Sequence, residues 1–241
     1  MARDGSEPIK DHPVVSREAW LAARTDLLAR EKEFTRLRDE LSRRRRELPW
    51  VKVDKVYVFD GPNGHETLAE LFDHRSQLVV YHFMFNPAWD QGCKHCSFWA
   101  DHFDATRVHL KHRDVSLVAV SRAPLAKIEA FRKRMGWTFK WVSSFQSDFN
   151  YDYHVSFTPD EIRRGPVFYN YANTKMDGED REGVSVFYKD EHGTVFHTYS
   201  SYARGIDMLN GTYQFLDLAP KGRDEGTSPQ AWVQYHDRYK D

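Results

Sequence analysis

Cysteine is nearly absent: the 241 residues hold two, Cys93 and Cys96. That excludes the bridge-dependent frameworks of small secreted domains, and any thiol chemistry here belongs to one pair. Charge of one sign is missing too. The formal net charge is -1 with 29% charged residues, so no global field favours DNA, RNA or an acidic membrane surface. Long apolar runs are also lacking, since none approaches the roughly 20 residues of a membrane helix and Leu78 to Phe85 has strand length. The opening MARDGSEPIKDHP carries charge and prolines where a signal peptide needs an apolar core. The expected location is therefore the cytoplasm, with neither membrane nor nucleic acid as partner. What is abundant is core material, 40% hydrophobic and 15% aromatic residues, ample for one large packed domain with appendages.

Residues 1–15 show no periodicity and are expected to form a mobile lead. Ser16 then offers an N-cap, with Val15 and Trp20 at the spacing of a hydrophobic staple. Trp20, Leu27, Phe34 and Leu41 recur every seven residues beside Leu21, Leu28 and Leu37. This predicts an amphipathic helix over 16–48, ended before Pro49, that docks on the domain or pairs with a second copy as a homodimer. The arginine run Arg43 to Arg46 is interleaved with acidic residues and suits a helix C-terminus, so it reads as a solvated face.

The domain proper is expected over 50–219, followed by a polar tail, 220–241, with Trp232 and Tyr235 as docking points. Val51, Val53, Val56, Val58 and Phe59 alternate as a short hairpin with turn chemistry at 60–64, and Thr67 can cap a brief helix through Leu71 and Phe72. Leu78 to Phe85 is a strand covered on both faces, followed beyond the cysteines by a helix to about Lys111. DVSLVAVS (114–121) is a second buried strand, Pro124 opens a helix that Gly136 closes, and Trp137 to Ser144 adds a short strand. Residues 145–183 form an excursion whose acidic run, Asp177 to Glu182, is expected in an exposed loop. VSVFY (184–188) and TVFHTY (194–199) bracket a turn as a hairpin, and a last helix spans roughly 203–216. The order β-α-β-α-β-β-α predicts an α/β fold: a thioredoxin-like three-layer sandwich with a mixed central sheet, plus the long N-terminal helix.

The cysteine pair stands where the first core strand gives way to its helix. A thiolate is the reactive form, and backbone amides at a helix start favour it. Cys93 is thus the expected nucleophile and Cys96, one turn on, the resolving thiol. His95 and Lys94 add positive charge that favours the Cys93 thiolate, whereas Asp90 would oppose it. Trp89, in the preceding loop, is the candidate for substrate contact, with Lys94, Gly183 and Val184. No cofactor is expected; the partners would be a thiol, disulfide or peroxide-type substrate and an external reductant. Zinc sites share the Cys-x-x-Cys spacing, so two thiols with a histidine such as His197 make a metal-binding module the alternative, beside a non-catalytic interaction domain.

The stretches CKHCSFWADHFD, VAVSRAPLAKIEAF, MGWTFKWVSS, SDFNYDYHVSF, GVSVFYKD and HTYSSYARGIDMLNGTYQFLDLAPKGRDE resemble an uncharacterised bacterial family of thioredoxin-like proteins, over nearly the whole chain. The resemblance implies a fold laid out like that of peroxiredoxins and brings no settled substrate. Two departures narrow it. Gly183 or Val184 stands where thioredoxins place a cis-proline, which argues against general protein disulfide exchange. Asp90 and Asn86 stand where peroxiredoxins carry a threonine or serine and a proline, with Pro87 one residue out of register, which argues against an efficient peroxidase.

Overall fold

The computed structural model describes residues 12–226 and 228–240. Most of the expected mobile lead, residues 1–11, lies outside them. Helix α1 (Arg17–Arg46) starts where Ser16 accepts a hydrogen bond from the Ala19 amide, and its last turn is basic. Its apolar stripe does not dock on the domain: no residue of α1 is buried, and Trp20 and Phe34 are 48% and 64% exposed. The described contact with the body is at the C-terminal end, where the Arg45 guanidinium lies 4.8 Å from the Tyr199 ring centroid.

The segment expected to form one hairpin divides. Strand β1 (Val51–Lys52) crosses to the last strand of the domain, while β2 (Val58–Gly61) and β3 (Gly64–Thr67) make the hairpin around Pro62-Asn63. Thr67 does not cap the next turn, a 3-10 segment over Glu70–Phe72; instead its amide and hydroxyl donate to the Glu70 carboxylate. Strand β4 (Gln77–His82) follows, then helices α2 (Lys94–Ala100) and α3 (Phe103–Lys111), which replace the single helix expected there. At the break Asp101 accepts from the Trp137 indole and His102 meets the Thr212 hydroxyl, so tertiary partners hold the polar pair between the two helices. Strand β5 (Val115–Ser121), helix α4 (Leu125–Arg134) and strand β6 (Lys140–Ser143) complete two parallel crossovers. Gly136, at φ 67°, ends the α4 segment as the left-handed position demands.

The excursion contains helices α5 (Phe149–Asp152) and α6 (Pro159–Arg164) and a small hairpin of strands β7 (Val167–Tyr169) and β8 (Ala172–Thr174). Strands β9 (Gly183–Lys189) and β10 (Val195–Tyr202) form the closing hairpin. A 3-10 segment, Ala203–Leu209, and helix α7 (Gly211–Leu216), separated by Asn210 capping Tyr213, replace one continuous terminal helix.

The sheet order is β1-β10-β9-β4-β5-β6-β2-β3, with β4–β5 and β5–β6 parallel and the other pairs antiparallel. Both crossovers run in one direction along the sheet, so right-handedness places α2, α3 and α4 on one face. Tyr81, Ala119, Trp141 and Val184 meet that layer; Val80, Val118, Val142 and Phe187 face α5 and the first 3-10 segment on the other side. This is the thioredoxin-like three-layer arrangement, with a mixed central sheet in which β4, paired on both edges, leads to the cysteines. No helix among the described residues is long and apolar enough to cross a membrane.

Strand β4 alternates as a pleated strand must, so Tyr81 enters the cysteine side and His82 the other. His82 is fully buried, bonded through Nε2 to Ser185, stacked on Phe149, and its Nδ1 has no described partner. Burial lowers its pKa to about 3. The unfolded chain therefore binds a proton that the fold refuses, and stability falls as pH drops below the ordinary histidine value. Urea unfolding should show a pH slope steeper than that of His82→Gln by about 1.4 kcal/mol per unit between roughly pH 6 and 4.

Candidate functional site

The parallel pairing of β4 and β5 carries both strands to the same edge of the core, and the loops that leave them converge there. The loop after β4 is held by its own turn, with Asn86 Oδ1 accepting from the Ala88 amide, and by Lys127 Nζ, which donates to the Pro87 and Trp89 carbonyls at 2.9 Å. Gly92 then passes so close to α4 that a Cβ would stand 2.7 Å from Phe83 and 2.9 Å from Phe131. Only glycine lets the chain reach Cys93 at this depth.

Cys93 is the residue before α2. Its amide donates to the Met84 carbonyl at 2.9 Å, and its carbonyl accepts from the Ser97 amide and hydroxyl. Cys96, one turn on, is buried against the Met84 amide, 3.4 Å from its sulfur. Both thiols are free. The two sulfurs differ in electrostatics. The Cys96 thiol, donating to the Cys93 sulfur, holds Cys93 well below the ordinary thiol range against the effect of burial, with further help from a His95 ring hydrogen bond and the Cys96 amide. Burial pushes Cys96 well above that range, and its hydrogen bond to Cys93 adds to the rise. The surroundings thus favour ionisation of Cys93 over that of Cys96, through donors placed by the first turn of α2.

A cavity of about 440 Å³ opens on the pair, lined among others by Tyr81, His95, Tyr169, Arg181, Glu182 and Arg204. Among its polar groups, His95 Nε2 is buried without a described hydrogen-bond partner, and the Tyr81 hydroxyl lies against the Cys96 thiol. Burial raises the Glu182 pKa, and the negative charge of Glu182 in turn contributes to the rise at Cys96. Of the residues singled out from the sequence, Cys93, Cys96 and His95 line this cavity together. Trp89, Lys94, Gly183 and Val184 do not. Trp89 is 38% exposed on the outer loop; Gly183 and Val184 are buried in β9, opposite His82 and Tyr81.

The acidic run starts in an exposed loop at Asp177, as expected, but its second half is drawn into the protein. Asp180 is 4% exposed and Arg122, directly after β5, is 8% exposed. Arg122 donates to Asp180 through Nε at 2.8 Å and Nη2 at 3.0 Å, and to Glu179 at 2.9 Å. Asn86 and Ser156 complete the partners of Asp180 at 2.8 and 2.6 Å. Two residues on, Glu182 enters the cavity. A hydrophilic run reads as surface unless its cation is known, and Arg122 lies 58 positions away in the sequence. Tyr81 carried a faint signal, as the aromatic with a polar tip inside an apolar strand; Glu182 had one in preceding Gly183.

Metal coordination lacks a donor set here. Among the described residues, no three His, Cys, Asp or Glu side chains gather in an arrangement that could hold an ion. His197 hydrogen-bonds Ser200 at 2.7 Å and packs against Tyr153 and Phe187, outside the cavity lining.

The family model described as a bacterial protein of unknown function (DUF899) matches residues 9–239. No curated protein matches the chain. Among solved structures, a cysteine mutant of Xanthomonas campestris peroxiredoxin Q is similar at 13% identity, covering 67% of this chain and 90% of its own, with a TM-score of 0.45. Peroxidoxin BcpB from Mycobacterium tuberculosis is 16% identical, covering 68% and 95%, at 0.44. The mitochondrial 2-Cys peroxiredoxin from Plasmodium falciparum is 11% identical, covering 70% and 92%, at 0.40.

Removing the Arg122 guanidinium would leave Asp180 buried and unpaired. Arg122→Ala should lose about 3–5 kcal/mol of stability in urea unfolding, far more than the exposed-pair variant Arg30→Ala, which should stay within about 1 kcal/mol.

Proposed function

The chain belongs to the DUF899 family of bacterial proteins, and we propose that it is a thiol-disulfide oxidoreductase in which Cys93 attacks and Cys96 resolves. The observation that carries this reading is the placement of two free thiols one helical turn apart at the start of α2, both lining the cavity. The surroundings displace them in opposite directions, Cys93 downward as suits a nucleophile and Cys96 upward.

The Cys93 thiolate attacks one sulfur of a substrate disulfide, forming a mixed disulfide and releasing the other half as a thiolate. Cys96 then loses its proton and attacks the Cys93 sulfur. The second half of the substrate leaves as a thiolate, and a Cys93–Cys96 disulfide is left. An external dithiol or monothiol reductant returns both sulfurs to the reduced state. Because hydrogen bonds from Cys96 and His95 stabilise the reduced, ionised form, the disulfide is more oxidising than that of an unassisted pair. His95 acts as a positioning donor, and Lys94 supplies charge from the first residue of α2. Trp89, Gly183 and Val184 contribute by shaping the outer loop and the strand beneath the cavity. The reaction needs no organic cofactor, and the setting that suits it is the cytoplasm, where reductant is abundant.

A second proposal concerns α1. Four of its seven large apolar residues, Trp20, Leu27, Phe34 and Leu41, recur every seven positions along 30 residues, or about 45 Å, and the described residues leave the stripe uncovered. They form a pairing face for α1 of a second copy.

Alkylation of Cys93 by iodoacetamide should titrate well below an ordinary thiol. Cys96→Ala and His95→Ala should each move the midpoint up, because each removes a donor to the thiolate. A wild-type midpoint at the ordinary thiol value would defeat the reading. For α1, light scattering should give a dimer that Phe34→Glu converts to a monomer with an unchanged Cys93 titration.

A further inference from the structure

The outer side of the cysteine turn is not open. Residues 228–240 fold back across it, with Val233 fully buried, Trp232 edge-on to Phe98 and Tyr235 edge-on to Phe131. Tyr235 donates its hydroxyl proton to the Gly92 carbonyl at 2.7 Å, directly before Cys93. An ion pair and a hydrogen bond fasten the same stretch: Arg134 grips Asp237 through two bonds of 2.8 and 2.9 Å, and His236 Nδ1 meets Asp101 at 2.6 Å. Gln91 is held as well, by Arg134 at 2.6 Å and Arg238 at 3.1 Å. The stretch therefore sits on α2, α4 and the 91–92 peptide at once. The cavity of about 440 Å³, within the size range of small-molecule sites, opens on the pair, and Gln230 of the same stretch contributes to its lining. Tyr81, His95, Arg181, Glu182 and Arg204 line it, so an occupant finds polar and charged side chains already in place.

Resting on the redox reading above, we propose that residues 228–240 are a specificity strap that closes the outer face of Cys93, so that the substrate is a small-molecule disulfide bound in the cavity and not a disulfide of a folded protein. A protein disulfide can be exchanged only if its flanking backbone lies along the surface around the attacking sulfur. Here that surface is occupied by the chain itself. A small disulfide needs no such platform: one sulfur reaches Cys93 while its substituents occupy the cavity, and the leaving thiolate departs through the same opening.

The test follows oxidation of the fully reduced chain by two probes of one chemistry and different size, bis(2-hydroxyethyl) disulfide and insulin. Formation of the Cys93–Cys96 disulfide is read by mass after acid quench. Wild type should react with the small probe at least about tenfold faster than with insulin after correction for each probe's rate with free dithiothreitol. Arg134→Gln removes the grip on Asp237 and Gln91 and should raise the insulin rate at least about fivefold while the small-probe rate stays within about twofold. Asp237→Asn is the milder variant, and faster proteolytic cleavage within 228–240 confirms that either loosens the strap. Equal corrected rates with both probes in wild type would overturn the strap and leave the redox reading standing. A rise in both rates together in a loosened variant would do the same. Failure of both probes to join Cys93 to Cys96 would instead sink the redox reading itself.

Discussion

The buried pair of Arg122 and Asp180 is the constraint on which the arrangement at the cysteine edge depends. Arg122 is fixed by the end of β5, and Asp180 brings with it a segment that would otherwise have no reason to enter the protein. With Asn86 and Ser156 also bound to Asp180, one carboxylate joins the loop that leads to Cys93, the loop after β5 and the far end of the excursion. Desolvating two charges is expensive, and only a full set of hydrogen bonds offsets it. Such an interaction gives position more than stability. What it positions is Glu182 on the floor beside the thiols and β9 in register against β4.

The thiols draw their chemistry from the first turn of their own helix. Within α2, seven residues long, the donors to Cys93 are discrete: the Cys96 thiol, His95 and the Cys96 amide. Each is placed by the geometry of a single turn, so the two residues between the cysteines do as much for reactivity as the strand that delivers them. The surroundings then divide the approaches to Cys93. A cavity lined by polar side chains opens on the pair, and a fastened strap lies over the 91–92 peptide that precedes it.

Much of the core was legible from local pattern. The parallel strands were continuous apolar runs, Pro124 and Gly136 marked both ends of α4, and the 184–199 hairpin alternated around an obvious turn. These features depend on neighbours in sequence. The burial of Asp180 within the acidic run was not legible, because it depends on Arg122, and neither was the break at Asp101-His102, held by Trp137 and Thr212 from elsewhere in the chain. At the site, Cys93, Cys96 and His95 were evident from spacing, whereas Tyr81, Arg181 and Arg204 joined them only through the fold. Helix α1 taught the reverse lesson. Its stripe is amphipathic as read, yet nothing else in the described chain covers it, so periodicity established the helix and said nothing of its partner. The tail showed only Trp232 and Tyr235 as anchors, and where they anchor is a tertiary fact.

The central claim is that Cys93 and Cys96 act as one redox couple, and an equilibrium titration against defined ratios of reduced and oxidised glutathione tests it most directly. The account predicts a single two-electron transition in which the protein loses the mass of two hydrogens, abolished in Cys93→Ser. A chain that stays reduced throughout, or accumulates glutathione on Cys93 without ever joining it to Cys96, would contradict it.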